Sequence, residues 1–253
     1  MRANERLDEI VKILNKQGRV HVKALSEMFQ VTEDLIRKDL KKLEEKDLID
    51  RIYGGAERKK KKFDASNVNY RMNIHRDHKM LIAEKALSII ENGDSIFLDA
   101  SSTCAMIAEV LVKSHKELTV ITNMLEIVRI LEANNDIRCI LVGGLYNRRI
   151  GGFVGIETID LIKDYHVNKA FISCMSVRLD DQTLYSSTKD IGLTKTTILN
   201  QSSLKVLVTE TRKFDYHGTV KFYNLSDLDC LICERPLSPQ EENLINELGL
   251  NII

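Results

Sequence analysis

Val31-Thr32-Glu33-Asp34-Leu35-Ile36-Arg37-Lys38-Asp39-Leu40-Lys41-Lys42-Leu43-Glu44 reads as a helix with a marked start. Thr32 is an N-cap residue, and Glu33 and Asp34 fall in the first turn, where acids suit the helix dipole. Ile36, Leu40 and Leu43 recur at the spacing of a buried stripe. At about 100° per residue the far face collects Asp34, Lys38, Lys41, Lys42 and Glu45, with Arg37 on a flank. Upstream, Leu7, Ile10, Val11 and Leu14 mark a helix over 4–16, with Gly18 as its stop. An extended piece follows at Arg19-Val20-His21-Val22. A second helix over 23–29 is expected to bury Leu25, Met28 and Phe29, before a tight turn at Gln30-Val31. Downstream, residues 48–53 read as a strand closed by Gly54-Gly55. Three helices and a terminal strand pair define a winged helix-turn-helix over residues 1–57.

The distribution of charge agrees with a nucleic-acid partner. The net charge of the 253 residues is zero, but residues 1–62 carry a balance of +5 and the remainder −5. A basic segment on a neutral chain points to a polyanion. Residues 58–74, opening on a Lys/Arg run after Glu57, read as a basic polar linker, whose cations are also able to reach phosphates. A hydrophobic fraction of 43% supports a buried core and excludes wholesale disorder. The start of the chain is charged and no apolar run reaches spanning length, so a soluble, cytosolic protein is expected, with no membrane partner.

From residue 75 to 253 short apolar strands alternate with helices, which implies a mostly parallel sheet covered on both faces. The fold class is therefore α/β: an N-terminal winged helix-turn-helix joined to a mostly parallel α/β domain. Ligand sites in such sheets lie beyond the carboxyl ends of the strands. At the first of these ends stands Asp99-Ala100-Ser101-Ser102-Thr103, where small hydroxyl residues open a helix whose free N–H groups suit a phosphate, or are simply capped. Gly143-Gly144 ends a later strand and permits close backbone approach. Of the five cysteines, Cys230 and Cys233 form a C-x-x-C, but they sit on a strand, where positions three apart face opposite ways. Buried structural thiols are expected there. No metal or nucleotide cofactor is expected, and none of the six histidines falls in a metal motif.

A helix-turn-helix presents the N-terminal side chains of its second helix to base edges in the major groove. Here these are Thr32, Glu33, Asp34, Leu35, Arg37 and Lys38. Arg37 has the reach for a guanine edge or a phosphate, Lys38, Lys41 and Lys42 suit phosphates, and Leu35 is able to meet a thymine methyl.

The segments from Val20 to Thr32, from Ile36 to Glu44, and Arg51-Ile52-Tyr53-Gly54-Gly55-Ala56 together resemble the DeoR family of repressors without a gap over residues 5–57. The family pattern carries Thr, Gly and His where this chain has Leu35, Asp47 and Tyr53. The resemblance implies operator binding through the recognition helix and a wing that includes Arg51. It also implies a C-terminal domain related to sugar-phosphate isomerases and CoA transferases. Asp99, Ser101, Ser102 and Thr103 match the family's effector turn, Thr122-Asn123 its T-N pair, and Lys213 its D-x-S-K-F segment. The arginine that the family places soon after Gly143-Gly144 is displaced to Arg148 or Arg149, Arg149 being taken as the site residue. Ser173-Cys174-Met175-Ser176 replaces a G-x-x-G, and Asp190-Ile191-Gly192-Leu193-Thr194-Lys195 replaces an acid-rich helix start, so the pocket has its own shape.

The function these readings converge on is a transcription regulator, a repressor of carbohydrate genes, that binds double-stranded operator DNA as a homo-oligomer and responds to a phosphorylated sugar or related metabolite. Two alternatives stand beside it. One is a sugar-phosphate isomerase or deaminase tethered to DNA, for which Asp99, Glu210 and Asp190 are the acid-base candidates. The other is a DNA-binding scaffold whose second domain only oligomerises.

Overall fold

Thr32 caps the helix that the sequence marks: its backbone is extended, and the Leu35 amide donates to its side-chain oxygen. The protein is described here from a computed structural model covering residues 3–46, 48–58, 61–62 and 67–253. The chain divides into two units, residues 1–61 and 62–253.

The first unit contains α1 (Ala3–Gln17), β1 (Arg19–His21), α2 (Val22–Phe29), α3 (Glu33–Glu45), β2 (Ile49–Ile52) and β3 (Gly55–Arg58). Its strands form an antiparallel sheet in the order β1-β3-β2, so the extended piece after Gly18 joins the wing. Leu7, Ile10 and Leu14 of α1, Leu25 of α2 and Ile36, Leu40 and Leu43 of α3 share one core with Val20, Ile49 and Ala56. Full burial of such side chains contributes about 2 kcal/mol each. Met28 departs from expectation: it is 58% exposed. The buried stripe of α2 is Val22, Leu25 and Ser26, with Phe29 one turn on, and Met28 is rotated off it. Gln30 ends α2 at φ 52°, turning the chain in the left-handed region. Gly54 takes φ 76°, and a Cβ on Gly55 would lie 1.9 Å from the Val20 carbonyl oxygen. Both glycines of the wing are therefore required, the first by conformation and the second by the closeness of β1.

Arg6 and Asp39 form an ion pair of 2.6 Å between α1 and α3, with side chains 6% and 1% exposed. The amphipathic pattern of α3 places Asp39 between Ile36 and Leu40, on the edge of the apolar stripe, and only the packing of α1 shows why an acid stands there.

In the second unit, β4 (Ser95–Leu98), β5 (Leu118–Thr122) and β6 (Ile137–Leu141) follow one another outward. The small hairpin β7 (Leu145–Asn147) and β8 (Gly152–Val154) comes next. The chain then returns to the other side of β4 with β9 (Val167–Ile172). A short antiparallel sheet, β10 (Ser176–Arg178), β11 (Thr183–Ser186) and, later, β13 (Val220–Asn224), stands apart from the main one. The main sheet is completed by β12 (Ser202–Val208), β14 (Cys230–Ile232) and β15 (Asn251–Ile252), in the order β15-β14-β12-β9-β4-β5-β6 with every pairing parallel.

Burial alternates along the strands: Ile96 and Leu98 face one apolar layer and Phe97 the other. The first layer contains α5 (Arg76–Ser88), α6 (Ser102–Val112) and α7 (Leu125–Leu131); the second contains α8 (Ile156–Lys163), α9 (Lys189–Asn200) and α10 (Pro239–Glu247). Cys230 lies in the first layer and Cys233 in the second, as strand geometry requires. All five thiols are free, and burial pushes Cys104 up to about 12 and Cys230 up to about 11, so they stay protonated.

Part of the polar segment 58–74 folds as α4 (Val68–Asn73), capped by the Asn67 side chain, with Val68 buried. Val68 and Met72, packed against the core from an otherwise polar stretch, are too few to set a periodicity, which is why the segment reads as a connector. Residues 59, 60 and 63–66 of that stretch, like Asp47, lie outside the described residues.

Candidate functional site

On the first unit, Thr32, Glu33, Asp34, Arg37, Lys38, Lys41, Lys42 and Arg51 are exposed and Leu35 is half-buried. Asp34, Arg37, Lys38 and Lys41 of α3 line one shallow groove with Arg51 of the wing. Arg37 is braced by Glu33 at 2.6 Å and Asp34 at 2.7 Å, so the two acids of the first turn also aim its guanidinium. Arg51 approaches Glu44 at 3.6 Å, and Lys38 and Lys42 have no ion pair among the described residues. Tyr53 at the wing tip is fully exposed, an aromatic presented to solvent by the Gly54 turn.

On the second unit, the direction of strand addition reverses between β4 and β9. That reversal opens a crevice at their carboxyl ends. The pocket there is lined by Ala100, Ser101 and Ser102 after β4, by Ser173, Cys174 and Met175 after β9, and by Glu210, Arg212 and Lys213 after β12. Arg71, Lys79, Arg149 and Lys195 add four cations to its wall, beside Ser186 and Ser187. Among the described residues, six cationic side chains thus converge on a pocket with one lining carboxylate, Glu210.

Each charge is held by specific partners. Lys213 is buried and donates to Ser173 Oγ at 2.8 Å and to the Cys174 carbonyl at 2.9 Å. Burial holds its ammonium below the usual lysine value. Lys195 of α9 pairs with Asp99, whose carboxylate also accepts from the Ser173 amide at 3.2 Å. Arg212 forks onto both oxygens of Glu210, at 2.8 and 3.0 Å, and donates to Tyr216 Oη. Burial pushes the Glu210 carboxyl up, but the Arg212 hydrogen bonds and the Lys213 charge hold it below its ordinary value overall. Lys79 donates to the Arg71 carbonyl at 2.6 Å and to the Ile74 carbonyl, closing the end of α4. Burial lowers the Lys79 ammonium to about 8, with Lys213, Arg212 and Arg71 adding repulsion and Glu210 opposing it.

At the start of α6, Ser101 Oγ accepts from the Cys104 amide, while the Ser102 and Thr103 amides donate to no group among the described residues. Ser101, Ser102, Arg149 and Lys213 of the sequence-derived set therefore reach one pocket, with Asp99 directly behind it. Thr103 points into the core, buried and without a partner for its Oγ1 among the described residues. Thr122 donates to the Leu98 carbonyl, and Asn123 bridges the Ala100 amide and the Phe153 carbonyl, so both fix the turn rather than line the crevice. Gly143 and Gly144 are not lining residues: the Gly143 carbonyl accepts from Thr158, and a Cβ on Gly144 would lie 2.1 Å from Thr158 Oγ1. The smallness of Gly144 admits α8, not a ligand, while a Cβ on Gly143 would meet nothing within 4 Å. Arg71, Lys79 and Lys195 escaped the sequence reading because they come from three different segments with no local motif, and Arg212 because only its neighbour Lys213 matches the D-x-S-K-F pattern. Of the acid-base candidates, Asp99 is paired with Lys195 and Glu210 with Arg212, while Asp190 is exposed at the start of α9.

A winged helix-turn-helix followed by a parallel α/β unit with a cation-lined crevice is the architecture of a ligand-responsive transcription regulator. Residues 6–62 match the DeoR-like helix-turn-helix domain and residues 74–235 the DeoR C terminal sensor domain, and the chain belongs to the DeoR family. The uncharacterized HTH-type transcriptional regulator YulB of Bacillus subtilis (strain 168) is 31% identical, over 98% of this chain and 95% of that protein. The glycerol-3-phosphate regulon repressor of Escherichia coli (strain K12) is 30% identical, over 93% and 92%. The lactose phosphotransferase system repressor of Staphylococcus aureus (strain NCTC 8325 / PS 47) is 30% identical, over 92% and 93%. These relatives are named as regulators, not enzymes. Among solved structures, ribose 5-phosphate isomerase A from Methanocaldococcus jannaschii is similar at 15% identity and a TM-score of 0.41, covering 55% of this chain and 54% of that one. No helix among the described residues is long and apolar enough to cross a membrane.

Proposed function

We propose that this chain is a repressor of carbohydrate-metabolism genes, released from or retained on its operator by a phosphorylated sugar or a related small anion. The convergence of Arg71, Lys79, Arg149, Lys195, Arg212 and Lys213 on a crevice that Ser102, the first residue of α6, also lines carries this reading. A phosphate dianion satisfies both the cations and the free amide at a helix start. Ser101, Ser102, Arg149 and Lys213 contact the effector, and Asp99, Thr122 and Asn123 shape its turn. Residues 1–57 bind DNA in the cytoplasm, with Arg37, Lys38, Lys41, Lys42 and Arg51 on the duplex and Thr32, Glu33, Asp34 and Leu35 at the groove. The protein acts as a homo-oligomer, since paired half-sites are read by paired recognition helices.

The test is fluorescence anisotropy with a duplex spanning the promoter of the chain's own gene, across a salt series and a panel of sugar phosphates. Each lost phosphate contact reduces the salt slope by roughly 1, so Lys41→Ala should bind more weakly with a shallower slope. Arg37→Ala should weaken binding by about 1–3 kcal/mol if it reads a guanine. Salt-independent binding, or no sugar phosphate that changes it, would rule this function out.

The pocket also predicts a pH dependence. A sugar phosphate is a dianion above roughly pH 6, so any loss of attraction between pH 7 and 9 arises in the lysines that burial depresses, Lys213 and Lys79, of which Lys79 titrates in this window. Its ammonium is present below about 8 and lost above. Effector affinity should therefore fall from pH 7 to pH 9 in calorimetric titrations, and Lys79→Met should flatten that fall. The unliganded fold should respond in the opposite sense. The folded-state value is depressed, so the buried ammonium costs stability below about 8, and the cost disappears as pH rises toward the unfolded value of 10.5.

A further inference from the structure

None of the histidines forms a motif in the sequence, yet the fold gathers two of them against a buried acid. His75 stands at the N-cap of α5, in the left-handed region at φ 49°. His78 lies one turn further along, and the two rings are 5.6 Å apart between centroids. Glu210 arrives from the end of β12, and one donor atom from each of the three residues lies within 4.8 Å of the others. We propose that His75, His78 and Glu210 form a three-ligand site for a divalent transition-metal cation of the zinc class.

Two imidazoles and one carboxylate are a zinc-type donor set that leaves a coordination position open. Bonds of about 2.0–2.1 Å to a tetrahedral ion place ligand atoms about 3.4 Å apart. The remaining approach falls to His75 and His78, both exposed and free to rotate, while Glu210 stays fixed in its buried position. A second carboxylate stands near His78. Glu234 Oε1 lies 3.9 Å from His78 Nδ1, and Glu234 is itself held by the Thr211 amide and hydroxyl. A carboxylate behind a ligating histidine fixes its tautomer and orientation. Arg212 occupies one lone pair on each Glu210 oxygen, and a carboxylate oxygen has a second. Glu210 and Glu234 offset the added positive charge beside Arg212 and Lys79.

The site shares Glu210 with the anion pocket, so a bound cation would lie one carboxylate away from a ligand there. Metal binding by these three residues stands without the effector reading, and its test uses no sugar phosphate. The full chain, stripped with chelator and dialysed, is titrated with Co2+ and then with Zn2+. The expected result is one equivalent of Co2+ per chain with the visible spectrum of nitrogen and oxygen ligands, displaced by Zn2+. His78→Gln and His75→Asn, the latter tolerant of the left-handed backbone, should each weaken Zn2+ at least tenfold. Glu234→Gln should weaken it by roughly 10–100-fold, and melting curves in chelator should match wild type. Wild type binding Zn2+ no more tightly than the His75→Asn/His78→Gln double variant would overturn the proposal. So would a thiolate-to-cobalt charge-transfer band, which would assign the metal to the cysteines.

Discussion

Lys213→Met should leave operator binding in place and weaken the sugar-phosphate response by roughly 100-fold, within the range for truncating one side of a desolvated charged contact. Lys213 is buried at the base of the pocket, held by Ser173 Oγ and the Cys174 carbonyl. Its ammonium has already lost its water, so an anion entering the crevice gains its attraction without first removing that hydration. Methionine keeps the length of the stem and removes the charge. The two acceptors left behind cost the unliganded domain about 1–3 kcal/mol, which a denaturant curve separates from the effector titration. An unchanged effector response in Lys213→Met would place the ligand elsewhere.

Asp39→Ala should destabilise the DNA-binding unit by roughly 3–5 kcal/mol, because it leaves the Arg6 guanidinium buried without its counter-charge. The loss is comparable with the whole stability of a small domain. In calorimetry, the transition of the first unit should move down or vanish while that of residues 62–253 stays. Operator binding should be lost with it, although Asp39 faces away from the groove. The double replacement Arg6→Met/Asp39→Leu should recover much of the loss, since an apolar pair of similar volume replaces a buried ion pair at little cost. A loss under about 1 kcal/mol for Asp39→Ala would mean that the pair behaves as a solvated surface bridge.

The contrast between Asp39 and Thr32 shows where sequence reading stops. Thr32 acts on an amide three residues away, so its role is written in the local chain. Asp39 acts on Arg6, 33 residues upstream, and the helical pattern gives no account of an acid beside Leu40. The pocket divides in the same way. Ser101 and Ser102 are legible as a helix start after a strand, whereas Lys79 in the first turn of α5 and Lys195 in the middle of α9 become pocket residues only when the sheet reverses beside β4. Gly143-Gly144 illustrates the converse error. A glycine pair at a strand end predicts close approach, and the approach is real, but the approaching group is Thr158 of α8.

The linear chain determined the caps, the apolar stripes, the glycine turn of the wing and the alternation of strands with helices, because each depends on residues within a turn or two of one another. Only the tertiary structure decided which cations share a crevice, which acid is locked to Arg6, and which histidines meet Glu210. The first and third depend on the order in which strands assemble into a sheet and the second on the packing of α1 against α3; hydrophobic periodicity specifies which face of an element is buried but not which element lies beside it.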